Sequence, residues 1–190
     1  MAPETSDQDL MLRAARGDIF AYTALVQRHV ASVFRTGYRF LHDRIEAEDI
    51  AQECFARLWQ MAPGWQSSGS GVPAWLQRVC TNLCLDRLRR KARWRVEELP
   101  ELVDSSLGAD RLLEQGQMKD ILERCLGDLA GNHRAAIVLT YYEGLPNKAA
   151  AELMSMDIKA FESLLYRARQ KLGALLALAD VVPADLELLA

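Results

Sequence analysis

Apolar residues recur at spacings of three and four along most of the chain, a pattern that predicts helices rather than strands. In the first half, this pattern and the polar residues at its ends predict four helices. They run from a cap at Asp7 to Gly17, from a cap at Asp18 through Val33, from about Glu46 to Met61, and from Pro73 to about Arg93. The run of Pro, Gly and Ser at 63–71 predicts a loop before the fourth helix.

The second half carries a pattern that is typical of a helix-turn-helix motif. Its predicted helices run from near Arg111 to Leu126, from Ala135 to Tyr142, from Asn147 to Met154, and from a cap at Asp157 to about Leu172. A three-residue turn at 155–157 separates the last two helices, and a connection of that length indicates this motif. We therefore expect an all-α fold.

A stretch without helical periodicity separates the two halves. Residues 96–110 contain Pro100, Gly108 and five acidic side chains but no basic one, which predicts an acidic flexible linker. The expected organisation is two small helical domains, at 1–95 and 111–175, followed by a tail at 176–190. The pattern assigns no role to that tail.

The distribution of charge says more about function than its sum does. The formal net charge of −3 does not suggest a polyanionic partner. Residues 87–95, however, contain six basic side chains and no acidic one. A local field of this kind suits contact with nucleic acid.

Several classes of function are not expected. No apolar segment is long enough to cross a membrane, and the polar N-terminus does not resemble a signal peptide, so we expect a cytoplasmic protein without direct membrane insertion. Because no phosphate-binding loop, nucleophile triad or metal cluster is apparent, no enzymatic activity and no cofactor is expected. Cys80 and Cys84 lie at i,i+4 and could face one metal ion, but no nearby Cys or His completes a tetrahedral set. Buried, reduced cysteines are the expectation instead.

The third predicted helix combines an apolar stripe with a separate acidic and polar face. Large aromatic residues border that face, and this combination suits the docking of another protein. The candidate docking residues are Asp49, Gln52, Glu53, Phe55, Leu58 and Trp59. An ordinary amphipathic helix with a solvated face would show the same spacing.

The fourth predicted helix ends in the basic run and carries residues that suit DNA. Its basic side chains can neutralise phosphates, a tryptophan ring can stack on an unpaired base, and the Asn82 amide can read a base edge. The candidate DNA-binding residues are Trp75, Arg78, Asn82, Arg87, Arg89, Arg90 and Lys91. A solvated basic helix with core tryptophans is the alternative.

The last predicted helix is the second helix of the helix-turn-helix and would enter a major groove. Arg and Lys would hold phosphates there, while Glu162 or Ser163 could touch base edges. The candidate residues outside its buried stripe are Lys159, Glu162, Ser163, Tyr166, Arg167 and Lys171. A plain helical hairpin is the alternative.

These three motifs, in this order, resemble those of the extracytoplasmic-function (ECF) sigma factors of bacterial RNA polymerase, over about residues 9–172. The resemblance implies that the docking segment at 46–59 binds the clamp helices of the polymerase β′ subunit. It also implies that the helix at 75–90 opens and reads the −10 promoter element, with a flipped base captured by the loop before it, and that the domain containing 143–169 reads the −35 element. The implied partners are core RNA polymerase, through the β′ clamp helices and the β flap, promoter DNA, and an anti-sigma factor.

Two other classes of protein share parts of this pattern. A repressor or activator that acts without polymerase would explain the helix-turn-helix but not the docking helix or the Gly/Ser loop, and such proteins usually dimerise. A sigma mimic that only sequesters an anti-sigma protein is the third class, although known mimics carry an added receiver domain. Within the helix-turn-helix, Pro146, Ala149, Ala150 and Ser155 depart from the usual family residues, which leaves the −35 sequence open.

Overall fold

The computed structural model describes residues 5–65, 71–97 and 114–179, and the side chains within 5–65, 71–91 and 120–179. In these ranges every regular element is helical, as expected. The helices are α1 Asp7–Ala14, α2 Ile19–Leu41, α3 Arg44–Met61, α4 Gly71–Glu97, α5 Glu114–Gly127, α6 Gly131–Ile137, α7 Asn147–Leu153 and α8 Ile158–Leu178. A 3-10 turn, Ala62–Gly64, follows α3, and a π-helical turn, Val138–Tyr142, continues α6. No helix in the described ranges is long and apolar enough to cross a membrane.

The chain divides into two compact units, residues 1–84 and 85–190, and the division falls within α4. Helix α4 extends to Glu97, into the first two residues of the predicted linker, and the rest of that linker, 98–110, lies outside the described residues. The boundaries at 95/96 and 110/111 stay predictions.

Helix caps in the first unit agree only in part with the expectation. Asp18 caps α2 as predicted, because its Oδ1 accepts from the amides of Phe20 at 3.0 Å and Ala21 at 3.1 Å. The Ala21 amide and the Arg13 guanidinium together hold the pKa of Asp18 below its ordinary value. Ser6, not Asp7, caps α1. Asp43 caps α3, so that helix begins two residues before Glu46.

Asp7 has a different role from the predicted cap. Its carboxylate forms an ion pair with Arg28 and lies 2.6 Å from Nε2 of His29, so it ties α1 to α2. Helices α2 and α3 approach closely where Gly37 faces Ala47, and a Cβ added at Gly37 would lie 3.4 Å from the Ala47 Cα. This crossing brings the apolar stripes of α2 and α3 together in the core of the first unit.

The second unit is built around the buried stripe of α8. Phe161, Leu165 and Ala168 are buried on it, and α8 packs against α5, α6 and α7. Arg134 is also buried, and its guanidinium donates to the carbonyl of Gly127 at 3.0 Å, which satisfies an acceptor at the end of α5.

Helix α8 is longer than the apolar pattern indicated. It continues to Leu178 instead of ending near Leu172, because Leu176 extends the stripe by one turn and is 2% exposed. Gly173 is accommodated within the helix. The first residues of the predicted tail therefore belong to α8, while 180–190 lie outside the described residues.

Candidate polymerase and nucleic-acid surfaces

The polar face of α3 is exposed as predicted. Asp49, Gln52 and Glu53 lie on it, and Glu53 forms an i,i+4 ion pair with Arg57 at 2.8 Å. Such a pair between exposed side chains adds little to stability. The face therefore remains available to a partner protein.

Trp59 forms the aromatic border of this face and is 37% exposed. The Tyr22 ring of α2 packs edge-on against it, with 4.9 Å between ring centroids. The Tyr22 hydroxyl donates to the Phe55 carbonyl at 2.9 Å, which fixes Tyr22 in place. Burial raises the pKa of Tyr22. The Trp59 indole is thus held in a defined orientation and stays partly exposed.

Phe55 and Leu58, two of the candidate docking residues, are buried. Their side chains are 5% and 0% exposed, so they belong to the core of the first unit. The buried stripe of α3 is therefore wide enough to include Phe55. In this conformation the two side chains support the docking face from beneath and do not form it.

Tyr22 is a residue of this surface that sequence reasoning missed. It stood out only as one of several apolar positions on α2. Its two partners, Phe55 and Trp59, are more than thirty positions away in the chain. Periodicity within one helix carries no signal for such a contact.

The candidate DNA-binding residues of α4 vary in exposure. Arg78, Asn82, Arg90 and Lys91 are exposed, whereas Trp75 and Arg87 are partly buried. Arg78 and Asn82 follow Trp75 at three and seven positions, which places the three residues along one side of the helix. The Trp75 ring packs edge-on against Trp65, with 6.3 Å between centroids. This contact joins a tryptophan of the predicted Gly/Ser loop to a tryptophan of α4.

Arg89 is exposed, and it has an acidic neighbour as well as basic ones. Its guanidinium forms an ion pair with Asp86 at 2.6 Å. The run at 87–95 itself contains no acidic residue. Asp86, one turn before Arg89 on the same helix, nevertheless offsets part of the charge at that position.

All six candidate residues on α8 are exposed: Lys159, Glu162, Ser163, Tyr166, Arg167 and Lys171. They lie away from the buried stripe. The predicted cap at Asp157 is confirmed by a hydrogen bond from the Ala160 amide at 2.9 Å. Within the turn before it, Ser155 adopts the left-handed conformation with φ of 56°. The turn therefore makes the sharp change of direction that joins α7 to α8.

The four cysteines lie in the cores of the two units. All four are buried free thiols, and Cys80 Sγ donates to the Val33 carbonyl at 3.6 Å. The thiol of Cys80 and the surrounding core raise the pKa of Cys54. In the described part of the chain no group of three or more His, Cys, Asp or Glu side chains has the arrangement of a metal site.

Two family models match successive parts of the chain. The family model described as Sigma-70 region 2 matches residues 25–94, and the model described as Sigma-70, region 4 matches residues 119–172. The RNA polymerase sigma factor NccH of Alcaligenes xylosoxydans xylosoxydans is 31% identical over 191 residues, which cover 95% of this chain and 100% of NccH. The ECF RNA polymerase sigma factor SigE of Mycolicibacterium smegmatis is 33% identical over 161 residues, covering 83% of this chain and 62% of SigE.

A solved structure of CnrH in complex with the cytosolic domain of CnrY is similar to this chain with a TM-score of 0.50 and 28% identity. The match covers 90% of this chain and 97% of CnrH.

A helical region-2 unit followed by a helix-turn-helix region-4 unit defines a promoter-reading subunit of bacterial RNA polymerase. The chain belongs to the extracytoplasmic-function family of RNA polymerase sigma factors. It is a non-enzymatic initiation factor that binds core RNA polymerase and directs it to promoter DNA.

Proposed function

We propose that three separate faces carry the steps of initiation. The exposed face of α3 docks on the clamp helices of β′, the exposed side of α4 contacts the −10 element, and the exposed face of α8 contacts the −35 element. Phe55 and Leu58 act by holding the α3 face in shape. Location in the cytoplasm, where core polymerase is found, is part of this proposal.

The main support for the docking step is the α3 face itself. It combines the carboxylates of Asp49 and Glu53 and the amide of Gln52 with the oriented indole of Trp59. Interfaces draw most of their affinity from a few aromatic or arginine side chains that become fully buried on binding. Trp59 suits this role, because it is partly exposed while Tyr22 fixes its orientation.

We further propose control by an anti-sigma factor. The support is the solved complex of CnrH, a similar protein, with the cytosolic domain of CnrY. A regulator of this kind would compete with polymerase if it covered the α3 face. Competition between an added anti-sigma protein and core polymerase for this chain would test that point.

The test of the docking step is reconstitution with core polymerase that lacks any sigma factor. The wild-type protein is expected to form a stable complex and to give a specific run-off transcript from the region upstream of its own gene. Asp49→Lys combined with Gln52→Lys should abolish the complex, since both side chains change charge at the centre of the face.

The control is Gln27→Lys, at an exposed position on α2, which should leave binding unchanged. Loss of binding in Gln27→Lys as well would indicate a non-specific charge effect. Normal binding by the double variant would show that the α3 face is not the docking surface. A wild-type protein that binds duplex DNA as a dimer but never binds polymerase would instead favour a repressor or activator.

A further inference from the structure

The basic end of helix α4 makes two contacts within the second unit, which begins at residue 85. Nη2 of Arg89 donates to the carbonyl of Leu153, the last residue of α7, at 2.5 Å. The neighbouring Leu88 lies against the first residue of α6, since a Cβ added at Gly131 would lie 3.0 Å from Cδ2 of Leu88. Two adjacent side chains of α4 are thus held against α6 and α7.

The bond to Leu153 engages a residue that is predicted to bind DNA. Carbonyl groups at the C-terminus of a helix lack a partner within the helix and form the negative end of its dipole, so a guanidinium suits them. The other terminal nitrogen of Arg89, Nη1, is paired with Asp86. A bidentate contact of Arg89 with a DNA phosphate would compete with both of these bonds.

The same contact limits how far apart two of the proposed DNA-binding surfaces can lie. The fully extended chain from Leu153 to Lys159 spans at most about 22 Å, and α8 adds about 18 Å between Lys159 and Lys171. The Arg89 side chain and its bond to Leu153 add about 10 Å. Arg89 therefore lies within about 50 Å of every candidate −35 residue on α8.

A promoter needs a larger separation than this. Positions −10 and −35 are about 25 base pairs apart, which corresponds to about 85 Å of duplex. While the contacts of α4 with α6 and α7 persist, Arg89 and the exposed face of α8 cannot reach the two elements at the same time.

We propose that these contacts form a latch, which is closed in the free protein and opens when the protein binds a promoter. The latch consists of Leu88 and Arg89 on one side and Gly131 and Leu153 on the other. This proposal rests on the −10 and −35 contacts proposed above. On opening, the Arg89 guanidinium exchanges the Leu153 carbonyl for a phosphate. Because only the open form can bind both elements, the closed fraction lowers the apparent affinity for the promoter.

The first measurement is a distance across the latch by pulsed electron paramagnetic resonance. Spin labels are attached to full-length protein carrying Arg90→Cys and Glu152→Cys, at two exposed positions. All four native cysteines are buried, so the labels react at the introduced positions. The label separation should be about 30 Å or less in the free protein and more than about 40 Å in the complex with core polymerase and promoter DNA.

Two outcomes of this measurement would contradict the proposal. One is a separation that stays short in a complex that gives a specific transcript. The other is a long separation in the free protein, which would mean that the latch is not closed there.

The second measurement opens the latch by substitution. The side chain in Gly131→Ile cannot fit while Leu88 stays in place, so the free variant should already show the long separation. Its affinity for a fluorescein-labelled promoter fragment that contains both elements should rise by roughly three- to tenfold, because a bond from a charged donor no longer favours the closed form. Leu88→Ala removes the same contact from the α4 side and should act in the same direction.

The matched control is Gly173→Ile, since nothing lies within 4 Å of a Cβ added at Gly173. It should keep the separation and the affinity of the wild type. If Gly131→Ile and Leu88→Ala lengthen the separation without raising the affinity, the latch does not limit promoter binding and the proposal is wrong. If the wild type forms no complex with polymerase and promoter, the proposed function fails and the latch has no step to control. The separation in the free protein distinguishes these two failures from the absence of a latch.

Discussion

Helix α3 of the first unit and helix α8 of the second each carry six residues that the sequence predicts to bind a partner. The exposure of these residues differs between the two helices. On α8 all six are exposed, whereas on α3 Phe55 and Leu58 are buried. The α8 candidates were chosen as the residues outside the stripe, and α8 buries a single stripe. The α3 candidates included large apolar side chains, and α3 buries a wider face. An apolar residue at the edge of a buried stripe can therefore be either buried or exposed. Only the packing of the helix against its neighbours determines which.

The sharpest test of this difference is Phe55→Ala. Removing a buried phenyl ring leaves a cavity, so we expect the first unit to lose about 3–5 kcal/mol of unfolding free energy. That is a large fraction of the stability of a small domain. Denaturant unfolding followed by circular dichroism would measure it.

Tyr166→Ala on α8 is the matched control for Phe55→Ala. Tyr166 is 58% exposed, and its loss should change stability by no more than about 0.5 kcal/mol. Equal effects of the two substitutions would mean that Phe55 does not lie in the core. That result would support the docking role that the sequence predicts for Phe55.

Trp59→Ala should separate binding from folding on α3. A large aromatic that becomes buried in an interface is worth about 2 kcal/mol or more, so affinity for core polymerase should fall by roughly thirtyfold. Fluorescence anisotropy of labelled protein titrated with core polymerase would give this value.

Tyr22→Phe provides the comparison for Trp59→Ala. It keeps the ring against Trp59 but removes the hydroxyl that donates to the Phe55 carbonyl. The expected cost is about 1 kcal/mol of stability, with a smaller loss of affinity than in Trp59→Ala. If Trp59→Ala leaves the affinity for core polymerase unchanged, the indole is not part of the docking surface.

The local sequence was sufficient where a residue and its partners are close in the chain. Asp18 and Asp157 were predicted as helix caps, and each accepts from an amide three positions later. Asp7 looked equally suitable, but Ser6 beside it takes the cap and Asp7 binds Arg28 and His29 of α2. The sequence pattern cannot show which of two adjacent polar residues caps a helix when one of them has a partner far away in the chain.

The same reasoning explains what could be predicted of the binding surfaces. The α8 face follows from periodicity alone, because every candidate position lies off a stripe that the sequence displays. The orientation of Trp59 by Tyr22 depends on a contact between α2 and α3. That contact arises from how the two helices pack, which no single helical pattern encodes.

Arg167→Ala tests the α8 face directly. Removing a cation that holds a phosphate should weaken binding to the −35 duplex by about 1 kcal/mol, with a salt slope reduced by about 1. Association with core polymerase through the first unit should not change. Filter binding at several salt concentrations would measure the slope.

Arg169→Ala is the matched control, since Arg169 lies two positions away and its guanidinium contacts the Tyr141 hydroxyl at 3.4 Å. The salt slope of Arg169→Ala should be closer to the wild-type value than that of Arg167→Ala. If both arginines contribute equally, the DNA surface extends to the Tyr141 side of α8. If neither contributes, α8 does not hold phosphates at these positions.

The smallest expected effect concerns the turn that sets the direction of α8. Ser155 adopts a left-handed conformation, with φ of 56°, which costs an L-residue about 1–2 kcal/mol. Glycine avoids that cost but loses about 0.4–1 kcal/mol through the greater freedom of the unfolded chain. Ser155→Gly should therefore raise the unfolding free energy of the second unit by about 0.5–1 kcal/mol. Ser163→Gly, at an exposed position within α8, should lower it by about 0.5 kcal/mol. Opposite signs for one substitution at two exposed serines would confirm the left-handed turn, whereas two destabilising changes would mean that the turn does not strain Ser155.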